Sequence, residues 1–594
     1  MSQFLKFLLA STLGVFIAGI LMSVFGIIIV AQIANEEKKG KPVKENTVLH
    51  IKLDNAIPEL TDNVERDMYS WNVDQVLGLN DLLYTLETAG KDDRIKGIFL
   101  EVDQLQGGFA TARILRNALD EFQANDKFII SHSKFYSQGA YYLSSVADEV
   151  YVNPLGWIDF RGFSSETPFV KEMLDRLGIE MQVIWVGNYK SATEPFRRNS
   201  MSEESKEQVR EYLTDYYNLF LEDISSNRPL SVEELRAIAN EYISPDPQKA
   251  LDRQLVDGIV YRDEVINSIK DSLGMEHDEK LYLMTLAEYF KSNPKKTDTK
   301  VKERIAVVYA EGTIVDGEGA EGSVGDIKYN KIFQKLRKDK KVKAVVLRIN
   351  SGGGSAMASE NMWRELMLLK ESGKPVIVSM GNYAASGGYY IAAPADSIFA
   401  EPNTLTGSIG VFMMLPNMQE LFNQHLGINF DTVKTAPMAV SLSPFYEMSQ
   451  NERKILQSRT DNMYQVFLQR VADGRNMESI DSVHQIAQGR VWTGKRAQEL
   501  GLVDELGDLG DAIDAAAAKV DLDSYRVVEY PKPKPPIVAL MEQFSGGGAA
   551  TKTAAAEKML KRDFRELYSS YDFLRSVYSS KGLQMRTTVM VPFE

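Results

Sequence analysis

An internal repeat with a period of about 250 residues constrains this chain more than any other feature. The block DDRIKGIFLEV (Asp92–Val102) matches DKKVKAVVLRI (Asp339–Ile349) far downstream. SKFYSQGAYYLSSVADEVYVNP, which ends at Pro154, matches MGNYAASGGYYIAAPADSIFAEP, which ends at Pro402, with one offset of 248 residues. A period of this length exceeds that of solenoid repeats and therefore indicates a duplicated domain.

Both copies alternate short β-branched runs with stretches of helical length. VKAVVLRI, for example, precedes a predicted helix over 358–369, and PVIVSM then precedes a second predicted helix. The apolar runs are continuous rather than alternating, as in strands that are buried on both faces. The pattern predicts an α/β protein built from βαβ units around a covered parallel sheet.

Composition shifts divide the chain into four predicted segments. Residues 1–45 hold an N-terminal transmembrane helix, 46–295 the first repeat, 304–540 the second repeat, and 541–594 a C-terminal tail with a charged helix. The polar stretch SNPKKTDTKVKER separates the repeats, and PKPKPP marks the end of the second. The partner of the tail helix cannot be identified from its composition.

The predicted transmembrane helix rests on residues 7–35, which carry no charge over 29 positions. About 20 such residues span the hydrocarbon layer of a bilayer. A cleaved signal peptide is the alternative, but cuts after Ala31 or Ala34 would place Ile29 or Gln32 at the third position back, where a small residue is usual. We therefore expect an uncleaved anchor. Because lysines lie on both sides of the anchor, counting positive charges does not decide which side of the membrane each end faces.

Composition also excludes several classes of site. The 594 residues carry a net charge of −14, which argues against a nucleic-acid binder. The chain has no cysteine and five histidines, none in a ligand pair, so we expect no disulfide and no metal. No phosphate-binding loop of the Gly-x-x-x-x-Gly-Lys-Ser/Thr type is present, and we expect neither nucleotide nor other cofactor.

Ser386 is the candidate nucleophile. An apolar run over Val376–Met380 reads as a buried strand that breaks at Gly381, and a helical apolar segment covers Tyr389–Ala393. Small residues surround the serine between them. A strand-to-helix turn would expose its hydroxyl beside unpaired N–H groups at the helix N-terminus. The alternative is a serine that merely caps the helix. At the offset of 248, the first repeat has Gln138 instead.

A serine nucleophile needs a base, because a serine hydroxyl without one is a weak nucleophile. His425 and His484 are alternatives in the second repeat, but no adjoining acidic residue marks either as a base. A lysine works only where burial keeps it partly neutral. Lys190, in MQVIWVGNYKSATEPF, follows an apolar strand of the first repeat, and the second repeat has no lysine at that place. Lys434 lies a few positions earlier and is the weaker alternative.

Each repeat thus retains one of two complementary groups. The first retains a lysine and lacks the serine, whereas the second retains the serine and lacks the lysine. This reciprocal loss predicts one composite site at the contact between the two repeats.

Four motifs carry a resemblance to a known family. They are GNYKSATEPF, INSGGG, GNYAASGGYYIA and TGSIG. Together with the anchor and both repeats, roughly residues 1–540, they resemble the long, membrane-anchored form of the signal peptide peptidase A (protease IV) family. These are Ser/Lys peptidases of the Clp protease/crotonase superfamily. The resemblance implies tandem Clp protease/crotonase-like domains. One departure is Gly352, where the family usually has proline.

The resemblance also implies roles for five residues. Ser386 is the acylating nucleophile and Lys190 the general base. Ser408, 22 residues after the nucleophile, is similar to the family's serine that orients the lysine. The N–H groups of Gly387 and Gly354 are implied as the oxyanion-hole donors.

The function implied is ATP-independent hydrolysis of remnant signal peptides through an acyl-enzyme. By the resemblance, the enzyme is a homotetramer anchored in the bacterial inner membrane, with its catalytic domains on the periplasmic or outer side. Two alternatives stay open. One is a crotonase-like acyl-CoA enzyme on the same fold, and the other is a catalytically inactive membrane scaffold.

Overall fold

A computed structural model describes residues 40–532 apart from 54, 62–75, 296–297, 299 and 321, together with 3, 7, 14 and 583–586. Apart from isolated positions, the predicted anchor at 7–35 lies outside the described residues, as does the predicted tail helix over 552–580. No helix within the described residues has the length and apolar character needed to cross a membrane.

In the described residues of the first repeat, strands and helices alternate except for a run of helices over 191–252. In chain order its elements are β1 (Thr47–Ile51), α1 (Leu79–Gly90), β2 (Ile95–Leu100), α2 (Phe109–Gln123), β3 (Phe128–Tyr136), α3 (Gln138–Ser144), β4 (Glu149–Ile158), α4 (Lys171–Arg176), β5 (Glu180–Val186), a 3₁₀ turn (Ser191–Thr193), α5 (Glu194–Arg197), α6 (Glu203–Asn227), α7 (Val232–Glu241), α8 (Pro247–Asp252), β6 (Gly258–Ile259), α9 (Arg262–Ser272), β7 (Leu283–Thr285) and α10 (Leu286–Ser292).

The second repeat follows the same order with additional short strands. Its elements are β8 (Arg304–Glu311), β9 (Thr313–Val315), β10 (Ser323–Gly325), α11 (Asp326–Lys338), β11 (Val342–Ser351), β12 (Gly353–Ser355), α12 (Ala356–Glu371), β13 (Val376–Ala385), α13 (Gly387–Ala392), β14 (Ser397–Ala400), β15 (Leu405–Gly407), β16 (Val411–Asn417), a π-helix (Leu421–His425), α14 (Gln450–Gly474), α15 (Ile480–Ile486), β17 (Val491–Thr493), α16 (Gly494–Glu499), β18 (Glu505–Leu506), α17 (Leu509–Ala518) and β19 (Arg526–Tyr530). The tail contributes β20 (Gln584–Arg586).

Each repeat has its own sheet with a buried apolar core. The first sheet has the order β6-β4-β3-β2-β1-β7 and is parallel throughout. The second has the order β17-β15-β13-β11-β8-β19, parallel except for the β15–β17 pair; β14 also pairs with β13, and β18 pairs with β14. The predicted α/β architecture with covered parallel sheets is confirmed.

Equivalent hydrogen bonds recur in the two repeats. The Tyr141 hydroxyl donates to the carbonyl of Leu255, and the Tyr389 hydroxyl donates to the carbonyl of Leu502, each at 2.8 Å. The two long helices that follow, α6 and α14, each have 25 residues. These matches in buried detail support a duplicated domain.

A third sheet joins the repeats. Its order is β10-β9-β12-β20-β16-β5, so that β5 of the first repeat pairs with β16 of the second. That pairing is antiparallel and runs over seven residues of each strand, from Val186 opposite Val411 to Glu180 opposite Asn417. Because Lys190 follows β5 closely, this sheet fixes the lysine relative to the second repeat.

Buried polar contacts also cross between the repeats. The Asn382 amide donates to the Thr111 hydroxyl at 2.8 Å and accepts from the Thr111 N–H at 3.0 Å. The buried Arg348 guanidinium binds both carboxylate oxygens of Glu59, at 2.9 and 3.3 Å. Removing one partner of such a pair leaves a buried charge unpaired, so these contacts hold the two repeats in one orientation.

One element prediction needs correction. The strand before Ser386 does not break at Gly381 but continues to Ala385, because β15 pairs with its last three residues. Three helices follow β5 over residues 203–252, because Ser231 and Asp246 each cap a new helix start.

Candidate active site

Ser386 lies between the end of β13 and the start of α13. Its φ of 56° and ψ of −115° lie outside the regions that a non-glycine residue ordinarily adopts. Its N–H donates to the carbonyl of Gly407 at 2.8 Å, and its carbonyl accepts from the N–H of Tyr390. The side chain makes no capping bond to α13, so the interpretation of Ser386 as a helix cap is wrong. Strained turns of this kind are concentrated at functional sites.

Lys190 reaches Ser386 from the other repeat. Its Nζ lies 2.8 Å from Ser386 Oγ, 3.0 Å from Ser408 Oγ and 2.9 Å from the Ser408 carbonyl oxygen. All three residues are at most 2% exposed. The structure therefore brings together the lysine and the two serines that the sequence analysis singled out, within a single chain.

Burial favours the neutral form of this lysine. It lowers the pKa of the Lys190 ammonium well below its ordinary value of 10.5, because a charged amine loses its hydration in the interior. Loss of hydration is the cause of this shift, and the three contact atoms are neutral oxygens. A neutral amine has two N–H groups and one lone pair. The lone pair can accept the proton of a serine hydroxyl while the N–H groups donate to the remaining oxygens.

The lysine loop is held by contacts that the sequence did not reveal. Buried Gln208 on α6 donates to the Tyr189 carbonyl at 3.0 Å and to the Ser191 hydroxyl at 3.1 Å, and it accepts from the N–H of Val491. Gly489 has a φ of +81°, and a Cβ there would lie 2.7 Å from the Lys190 backbone nitrogen. Both residues stand in unremarkable sequence, and no motif identified them.

Two glycine N–H groups lie beside the serine. Gly387 begins α13, and a Cβ on it would lie 3.1 Å from the backbone nitrogen of Gly354 on β12. Gly353, with a φ of +97°, allows β12 to approach α13, since its own Cβ would lie 2.6 Å from the nitrogen of Gly387. The arrangement suits a pair of donors for a negatively charged oxygen formed next to Ser386.

The alternative bases lie elsewhere. Lys434, His425 and His484 are all exposed. The His484 ring nitrogen Nδ1 is 2.9 Å from the Tyr464 hydroxyl rather than near Ser386. Gln138 of the first repeat is buried, and its side chain bonds the backbone of Arg161 and Gly162. Within the described part of the chain, no group of three or more His, Asp or Glu side chains is placed to hold a metal ion.

Comparison with known proteins identifies the family. The sequence model of peptidase family S49 matches the chain twice, over residues 121–276 and 368–523. The chain belongs to peptidase family S49. The double match confirms the duplication, and Lys190 and Ser386 fall in different matched segments.

Two curated proteins align with most of the chain. The chain is similar to Protease 4 of Haemophilus influenzae, with 35% identity over 499 residues that cover 82% of this chain and 81% of that protein. It is 33% identical to the chloroplastic serine protease SPPA of Arabidopsis thaliana over 482 residues, which cover 80% and 70% of the two chains. Among solved structures, ClpP1 from Listeria monocytogenes is 15% identical, with a TM-score of 0.23, over 35% of this chain and 92% of that one.

Proposed function

We propose that this S49 family member is an ATP-independent serine endopeptidase with a Ser386/Lys190 dyad. The observation that carries the proposal is the 2.8 Å contact between Lys190 Nζ and Ser386 Oγ in a buried setting that favours the neutral amine. The names of the relatives, Protease 4 and serine protease SPPA, agree with peptide hydrolysis.

The proposed reaction proceeds through an acyl-enzyme. Lys190 takes the proton of Ser386 Oγ as the hydroxyl attacks the carbonyl carbon, and the N–H groups of Gly387 and Gly354 stabilise the oxyanion. Lys190 then gives the proton to the leaving amine, and water hydrolyses the ester with Lys190 again as base. Loss of one oxyanion donor would cost about 3 kcal/mol, which is on the order of a hundredfold in rate.

Ser408 has a positioning role in this scheme. Its hydroxyl and its carbonyl both contact Lys190 Nζ, so they fix the direction of the amine lone pair. The φ of Ser408 is +53°, a left-handed conformation that turns both groups towards the lysine. Its N–H donates to the carbonyl of Arg490 at 2.7 Å, which holds this turn in place.

The proposed substrates are hydrophobic signal peptides that remain in the membrane after export. The uncharged stretch at 7–35 would anchor a homotetramer in the bacterial inner membrane and hold the site near such peptides on the periplasmic side. Membrane fractionation of the full chain and of a variant without residues 1–45 tests this part, since the shortened chain should leave the membrane fraction.

A serine-reactive fluorophosphonate tests the chemistry. We expect covalent labelling of the full chain that is lost in Ser386→Ala and strongly reduced in Lys190→Met. Absence of labelling together with thermal stabilisation by coenzyme A would support the acyl-CoA enzyme. Absence of both would support an inactive scaffold.

A further inference from the structure

The loop between α15 and β17 touches both parts of the candidate active site. The Gln488 carbonyl accepts from the N–H of Tyr189 at 3.0 Å, one residue before the lysine. The Arg490 carbonyl accepts from the N–H of Ser408 at 2.7 Å. One short loop of the second repeat therefore holds the backbone on both sides of the Lys190 amine.

The backbone of this loop is itself strained. Gln488 and Gly489 both have left-handed conformations, with φ of 52° and 81°. Such a conformation is unfavourable for a residue with a side chain, and it persists only where surrounding contacts fix it. The N–H of Gly489 donates to the carbonyl of Ile409 at 2.8 Å, which is one such contact. Side chains that hold the loop in place should therefore influence the position of the site.

The Arg490 side chain fastens the loop to the first repeat. Its guanidinium carbon lies 4.6 Å from the centre of the Tyr189 ring and 4.5 Å from the centre of the Trp492 ring. Its Nη2 lies 2.6 Å from a carboxylate oxygen of Glu211 and 3.2 Å from one of Glu207, both on α6. The Tyr189 hydroxyl donates to the other oxygen of Glu207 at 3.2 Å. A planar cation between two rings and two carboxylates is fixed in both position and orientation.

We propose that Arg490 is a positioning residue for the dyad of Lys190 and Ser386. Its carbonyl fixes the turn at Ser408, and its side chain fixes the loop that carries the lysine. The inference rests on the proposed function, because it assigns Arg490 to the same reaction. A misplacement of about 1 Å can cost on the order of a hundredfold in rate, so a loosened loop should slow the attack by the serine.

A loosened loop should also change the protonation of the lysine. The Lys190 amine contacts three neutral oxygens, and the charged groups around its loop are Arg490, Glu207 and Glu211. Loss of hydration keeps the pKa of Lys190 low. Water admitted beside the amine would stabilise the ammonium and raise this pKa towards 10.5, so the reaction would begin at higher pH. A contact that serves folding alone would leave the pH dependence unchanged.

A second ion pair on the same helix provides a matched control. Arg496 binds both carboxylate oxygens of Asp215, one turn beyond Glu211 on α6, and this pair also joins the two repeats. Arg496 follows β17, whereas Arg490 precedes it at the lysine loop. Partly exposed ion pairs of this kind contribute little to stability, so neither arginine should be needed for folding.

The pH dependence of fluorophosphonate labelling of Ser386 in the full chain tests the proposal. In Arg490→Ala, we expect the rate at neutral pH to fall on the order of tenfold to a hundredfold. The pH of half-maximal rate should rise by about one unit. Glu211→Gln should shift it in the same direction, because it loosens the same contact. Arg496→Ala should keep the wild-type rate and the wild-type pH dependence.

Different results would overturn different statements. Opposite pH shifts in Arg490→Ala and Glu211→Gln would mean that the two charges act on the lysine directly, and the positioning role would be wrong. The same conclusion would follow if Arg490→Ala lowered the melting temperature but labelled like Arg496→Ala. In both cases the labelled wild-type chain would still support the proposed peptidase. If the wild-type chain is not labelled at any pH, the proposed function fails and the role of Arg490 fails with it.

Discussion

The turns that follow β3 and β13 stand at equivalent places in the two repeats, but their backbones differ. Ser137 has a φ of −65° and a ψ of 163°, and its hydroxyl caps α3 by accepting from the N–H of Ala140. Ser386 has a φ of 56° and a ψ of −115° and caps nothing. The hydroxyl of the first turn satisfies its helix end, whereas the hydroxyl of the second contacts Lys190 instead.

The side chains at the two turns also make different contacts. Gln138 stands at the position equivalent to Ser386, and its side chain makes three hydrogen bonds to the backbone of Arg161 and Gly162. Ser386 instead faces a buried amine. In the first repeat this position makes stabilising contacts, whereas in the second the turn has a strained conformation. In the proposed function, the first repeat contributes to the site through the lysine loop after β5.

Ser386→Ala is expected to have the largest effect on activity and tests the comparison between the two turns. Removing the proposed nucleophile should lower kcat/KM for a peptide substrate on the order of 10⁶-fold, as in subtilisin. Ser137→Ala is the matched control in the first repeat. It should cost about 1 kcal/mol of stability through the lost cap and leave the activity of the folded protein unchanged. A large activity loss in the control would place the first turn in the reaction.

Lys190→Met should reduce kcat/KM by about 10⁴-fold, because it removes the proposed base and keeps the side-chain length. We expect no loss of thermal stability, since no buried charge pair is broken. Lys434→Met, at an exposed position, is the control and should be silent. Activity retained in Lys190→Met would move the base elsewhere and remove the role assigned to the first repeat.

The pH dependence of kcat/KM reports the charge of Lys190. Only the neutral amine can act as a base, so activity should fall about tenfold per pH unit below the lowered pKa of the lysine. The unfolded chain holds this proton up to the ordinary pKa of 10.5, and the folded chain releases it at lower pH. Stability should therefore rise with pH between the two values in Ser386→Ala and lose that contribution in Ser386→Ala/Lys190→Met. A rise in activity centred on the ordinary lysine pKa would contradict the effect of burial.

The repeat, the α/β class and the pairing of Lys190 with Ser386 could be predicted, because each produces a recognisable pattern in the sequence. The offset between the copies showed which group each had lost. Gln208 and Gly489 left no such pattern, since their roles come from contacts with a loop distant in sequence. The tail strand was also missed. Three residues that complete a sheet carry too little periodicity to be recognised, and their partners lie some 230 residues away.

Ser408→Ala should lower kcat/KM by about tenfold, the value of one lost hydrogen bond to the lysine. The contact from its carbonyl to Lys190 remains, so the loss is smaller than for the lysine itself. Ser408→Gly removes the same hydroxyl and suits the φ of +53° better. Equal activity in the two variants would assign the effect to the hydroxyl. Activity restored by glycine would assign it to the backbone instead.

Gln138→Ala has the smallest expected effect on activity and sharpens the comparison most directly. The position equivalent to the proposed nucleophile should contribute to folding only, so kcat/KM should change less than about twofold while stability falls by about 1–3 kcal/mol from unpaired buried groups. Chemical denaturation and a peptide assay on the same preparation separate the two quantities. Gln138→Ser should also gain no fluorophosphonate labelling, because a serine there has neither the strained turn nor a lysine. Labelling at that position would mean that a reactive serine needs neither the strained turn nor the lysine from the other repeat.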